Sequence, residues 1–68
     1  MKIQSLLNFM GYSLMIYHNW ENLYCFSIID QDYQVHNFEG IYSSLQNAIE
    51  QGKSVIQNLE YLRQKTSY

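Results

Sequence analysis

Tyr42 to Leu62 reads YSSLQNAIEQGKSVIQNLEYL, and this stretch decides the fold. Leu45, Ala48, Ile49, Gly52, Val55, Ile56, Leu59 and Leu62 recur at the three-and-four spacing that puts side chains on one side of a helix. The spacing predicts one amphipathic helix. Ser43 followed three residues later by Gln46 is a capping box, in which each side chain satisfies the other residue's unpaired backbone donor. Arg63 and Lys65 stand near the negative end of the helix dipole. Gly52 lies in the middle of the apolar face, where glycine costs roughly 1 kcal/mol against alanine. The expected compensation is close contact with an aromatic ring, Tyr24 or Phe26, that a Cβ would hold off.

Upstream the period changes. Tyr12 to Phe38 is dense in tyrosine, phenylalanine, isoleucine and valine, in short runs broken by Asn and Asp, which is strand composition. Strand one runs from Tyr12 to His18, with Leu14 and Ile16 on one face and Met15 and Tyr17 on the other. Asn19 to Asn22 carries turn chemistry, because asparagine tolerates left-handed backbone and caps its own turn. Leu23 to Ile29 returns as strand two, with Tyr24, Phe26 and Ile28 on one face and Leu23, Cys25, Ser27 and Ile29 on the other. A tight turn at Asp30 to Asp32 leads to a more polar edge strand, Tyr33 to Phe38, which Glu39 and Gly40 end. Residues 1–11 read as a short N-terminal segment, helical or disordered, outside a single domain of residues 12–68. The fold class is thus α+β: a three-stranded antiparallel sheet followed by one helix packed on one face.

At 68 residues there is room for one thin core, since chains this short bury only about 60% of the surface of the unfolded state. The single Cys25 cannot pair within the chain, and no Cys/His cluster has zinc spacing. A composition 47% hydrophobic and 15% charged is a large apolar load for so small an interior, so part of it is expected to meet a partner. The opening Leu6, Leu7, Phe9 and Met10 patch is too short and too polar for a signal peptide or a membrane span, and a lone thiol suits a reducing compartment. These features point to a cytoplasmic protein with no membrane partner.

The strand order and the opening Ser44-Leu45-Gln46-Asn47-Ala48-Ile49 of the helix resemble the N-terminal domain of HicB-type antitoxins over Tyr12 to Leu62. The resemblance implies the same three strands plus helix and a regulatory role. The chain departs from that family where an acidic-Pro-Gly signature would follow the second strand, having Asp30-Gln31-Asp32-Tyr33 instead. The chain equally resembles short bacterial proteins, several of them cyanobacterial, built as a three-stranded sheet plus one helix.

Three function classes follow. Catalysis would need Cys25 paired with His18 or His36, or a carboxylate pair among Glu21, Asp30, Asp32 and Glu39. A mid-strand thiol among apolar neighbours is ordinarily a small buried hydrophobe, and acids in turns bind backbone amides. Neither catalytic residues nor a metal or cofactor site is expected. An autonomous nucleic-acid-binding or ribonuclease-like domain would need a basic stripe, whereas the chain has four Lys and Arg residues and a net charge of −2. The remaining class is a non-enzymatic protein-interaction module. One helix covers one face of a sheet, which leaves the other apolar face for self-association or for docking on a larger protein. Its expected contact residues are Met15, Tyr17, Leu23 and Ile29, with Trp20 at the tip of the first hairpin as a rigid aromatic anchor.

Overall fold

A computed structural model describes residues 2–19 and 21–65. Four strands, β1 (Lys2–Phe9), β2 (Tyr12–His18), β3 (Tyr24–Ile29) and β4 (Val35–Tyr42), precede one helix, α1 (Leu45–Lys65). All neighbouring strands are antiparallel and the sheet order is β1-β2-β3-β4. The α+β class holds, with one strand more than the sequence reading supplied. Residues 2–9 form β1 rather than a short helix or a disordered lead. The cause is the turn that follows. Met10 and Gly11 have φ of 54° and 83°, and Phe9 stands opposite Tyr12, so a two-residue hairpin loop with both central residues left-handed returns the chain. Asn-Gly is the usual signature of such a loop, and Met-Gly conceals it.

β4 also differs from its expected bounds. Tyr33, at φ 62°, belongs to the turn, and the strand continues through residues 39 and 40 to Tyr42. Glu39 and Gly40 do break the pattern, but as a register irregularity. Phe26 pairs with Phe38 and Tyr24 with Tyr42, so residues 39–41 are spanned by Cys25 alone.

Two side chains build the turns. Asn19 Oδ1 accepts hydrogen bonds from the backbone N–H of Glu21 (2.9 Å) and Leu23 (3.0 Å), and Asn22 takes the left-handed φ of 62°. Asp30 Oδ1 does the same for Asp32 (2.9 Å) and Gln34 (3.0 Å). The helix cap is Ser44 rather than Ser43. Its Oγ accepts from Asn47 N–H at 3.1 Å, while the Gln46 amide donates to Glu50, so the expected capping box gives way to a single cap one residue later.

Helix and sheet meet through Leu14, Ile16, Phe26 and Ile28 on the sheet and Ala48 and Ile56 on α1, all buried. Phe26 lies 5.1 Å from Phe38 and 5.7 Å from Tyr42, ring to ring. The buried helix residues Ala48, Gly52, Ile56 and Glu60 follow one another at strict four-residue spacing. Gly52 is a contact glycine, as its place on the apolar face predicts, but its neighbour is not aromatic. A Cβ built there would stand 2.5 Å from Leu14 Cδ1 and 3.2 Å from Leu14 Cγ. No helix among the described residues is long and apolar enough to cross a membrane.

Candidate functional site

The strand register lays out the sheet face that α1 leaves uncovered. Residues directly opposite one another in an antiparallel pair point to the same side. One row across that face is Ile3, Tyr17 and Cys25, the next is Leu6, Met15, Ser27 and Asn37, and a third is Asn8, Ser13, Ile29 and Val35. The two edges are the most open. Ile3 (60%) and Leu6 (64%) on β1 and Val35 (57%) on β4 are large apolar side chains in water, and Ile41 is exposed as well. Met15, Tyr17, Cys25 and Ile29 are half-buried between them.

A polar line crosses this surface. Tyr17 Oη lies 3.3 Å from Ser27 Oγ, which donates to Asn37 Oδ1 at 2.7 Å, and Ser13 Oγ donates to Asn8 Oδ1 at 3.2 Å. Ser27 is only 1% exposed although nothing but its neighbours covers it. Apolar side chains therefore border a polar strip whose hydroxyls and amide oxygens are hydrogen-bonded to one another.

Of the expected contact residues, Met15, Tyr17 and Ile29 lie together on this face. Leu23 does not belong to the strand: β3 begins at Tyr24, and Leu23 sits half-buried in the Asn19 turn that holds its N–H. Trp20 lies outside the described residues. Cys25 is parted from both histidines, because it shares its row with Tyr17, whereas His18 pairs with Tyr24 and His36 with Ile28 on the opposite, helix-bearing side. No thiolate–imidazole pair forms.

The helix side carries a feature the sequence reading missed. A cleft of about 310 Å³ opens beside the last turns of α1, lined among others by Tyr12, Asp30, His36 and Arg63. Glu60, 8% exposed, bonds two of its lining residues, Tyr12 and Arg63. Tyr12 Oη donates to Glu60 Oε2 at 3.1 Å, Arg63 donates twice, from Nε to Oε2 at 2.9 Å and from Nη2 to Oε1 at 2.6 Å, and Gln64 adds a fourth hydrogen bond at 3.2 Å. The Arg63 hydrogen bonds pull the Glu60 carboxyl down to about 2, while burial, then Glu60, pushes the Tyr12 phenol up. At neutral pH this places a firmly ionised acid beside a firmly protonated phenol, an arrangement unsuited to proton transfer. Across the cleft Asp30 Oδ2 meets His36 Nε2 at 2.9 Å, and that contact, followed by the Gln34 amide, lowers the Asp30 carboxyl.

These carboxylates hold parts of the fold together: Glu60 joins α1 to β2, and Asp30 joins its turn to β4. A signal for the first was present in the sequence. Glu60 continues the line of Ala48, Gly52 and Ile56, and an acid on a buried line needs partners, which Arg63 three residues on supplies. Among the described residues no group of three or more His, Cys, Asp or Glu side chains is placed to hold a metal ion, and no buried side-chain N or O atom lacks a hydrogen-bond partner. Comparison with protein families, curated proteins and solved structures gives no match.

Proposed function

We propose that the chain is a non-enzymatic protein-interaction module that works through the uncovered sheet face, docking there on another protein or on a further copy of itself. The observation that carries this reading is the row-by-row clustering of Ile3, Leu6, Met15, Tyr17, Ile29 and Val35 on one side of the sheet, with three of them more than half exposed. Large apolar side chains held in water at both edges of one sheet face are a cost that a covering partner removes. The internal polar strip suits the role at its centre, because the Ser27 hydroxyl donates to Asn37 Oδ1 within the face and a covering partner does not strand it. An antitoxin-like regulatory role is a special case of the same reading.

The test is apolar dye binding by the wild-type chain and by Met15→Glu, with helix content followed by circular dichroism. Dye bound by the wild type and lost in a folded Met15→Glu supports the face. A wild-type chain that binds no dye and sediments as a clean 8.2 kDa species overturns it.

A further inference from the structure

The two outer strands of the sheet are not alike. β4 is regular only from Val35 to Phe38, beyond which residues 39–41 break the ladder, and a bulged edge resists addition of another strand. β1 has eight residues, no proline, no acidic residue and one basic residue, Lys2, at its very start. Its one irregularity falls between Ile3 and Ser5, which leaves Ser5 to Phe9 as a regular run. Among the described residues no strand pairs with its outer side. Charge, proline and bulge are the means by which exposed edges are kept apart, and from Ser5 to Phe9 β1 uses none of them.

We infer that the occupant of this edge is the β1 strand of a second copy, paired antiparallel about Leu6, so that two four-stranded sheets join into one of eight strands. The strand is complementary to itself in this register from Ser5 to Leu7, the part of the regular run that lies opposite its own copy. Leu6 meets Leu6 of the second copy on the uncovered face, and Ser5 meets Leu7 on the helix side. Lys2 falls opposite Met10, outside the regular run, so no like charges are brought together. Two-fold pairing also closes: each copy spends its one open, regular edge, and the bulged β4 edges are left outermost. The two uncovered faces then lie side by side, and Ile3, Leu6 and Met15 of both copies form one surface. Use of that joined surface rests on the function proposed above; the pairing itself does not.

Disulfide trapping in a Cys25→Ser background tests the register. In this pairing the two Leu6 Cα atoms stand about 4.5 to 5.5 Å apart, within disulfide reach. The two Asn8 Cα atoms lie four residues apart along the strand, about 13 Å, which is beyond it. Leu6→Cys is expected to form a cross-linked dimer about tenfold faster than Asn8→Cys, two positions that are both exposed on β1. Sedimentation equilibrium of the uncross-linked wild type and of Met15→Glu is expected to give two chains for each. A single-chain mass for the wild type, or equal trapping at the two positions, overturns the pairing about Leu6. So does a folded Met15→Glu that has become monomeric, a result that leaves the sheet-face reading standing. A Met15→Glu dimer trapped at Leu6, from a wild type that binds no dye, supports the edge and removes the face.

Discussion

Met10 occupies a left-handed backbone conformation at the first position of a two-residue hairpin loop, where an ordinary L-residue costs roughly 1–2 kcal/mol and asparagine much less. Met10→Asn is therefore expected to raise the thermal midpoint, by the equivalent of about 1 kcal/mol, and an unchanged or lowered Tm shows that the loop is not strained. Gly52→Ala should do the opposite. The added methyl gains helix propensity but meets Leu14, whose side chain is completely buried and has nowhere to retreat, so overpacking of about 1–3 kcal/mol prevails. A stabilised Gly52→Ala shows instead that helix and sheet separate at little cost. Gly52 was legible as a contact glycine because its angular position follows from spacing alone. Its neighbour was not, since choosing Leu14 over Tyr24 or Phe26 requires the lateral placement of the helix across β2 and β3, which no local pattern encodes. Met10 hid β1 for a related reason: the turn it makes belongs in sequence terms to asparagine.

At the scale of elements, α1 was the most readable, since an apolar face running from Leu45 to Leu62 has one interpretation, and β2 and β3 followed from alternation. β1 was not readable, because Leu6 and Leu7 are adjacent apolar residues that split between the two faces of the sheet, and a short run of that kind fits helix and strand equally. What fastens α1 to the sheet at its far end is electrostatic. Glu60 has a folded carboxyl held at about 2 against an ordinary value of 4.5, so its contribution to stability is fully present above about pH 5 and is lost as pH falls toward 2. The lowered Asp30 carboxyl acts in the same direction. Acid titration of unfolding is expected to show Tm falling across that window, with a shallower fall in Glu60→Gln. Equal slopes for the two proteins exclude Glu60 as a source of the acid sensitivity. Tyr12→Phe, which removes the one hydrogen bond tying Glu60 to β2, should lower Tm at neutral pH while leaving helix content unchanged.

The molecule as a whole covers one side of a four-stranded sheet with a single helix, and strand alternation made legible which sheet residues share a face, though not which of the two apolar faces the helix covers. The use of the other side was not legible, because a sequence carries the apolar content of a surface without the identity of what covers it. Thermodynamics supplies a handle that needs no partner in hand. If two copies pair through β1, folding and association are linked, and the thermal midpoint depends on protein concentration. Each tenfold increase in concentration favours a folded dimer over two unfolded chains by about 1.4 kcal/mol, or roughly 0.7 kcal/mol per chain. For a domain of this size that corresponds to an increase in Tm of about 3–6 °C per decade. Leu6→Lys places a charge at the centre of the pairing, opposite its own copy, and edge lysines are a common means of keeping strands apart. Its Tm is expected to be independent of concentration and to match the wild-type value extrapolated to high dilution. A wild-type Tm that stays constant across two decades of concentration shows that the sheet edge is stable alone in water, and the pairing is then excluded.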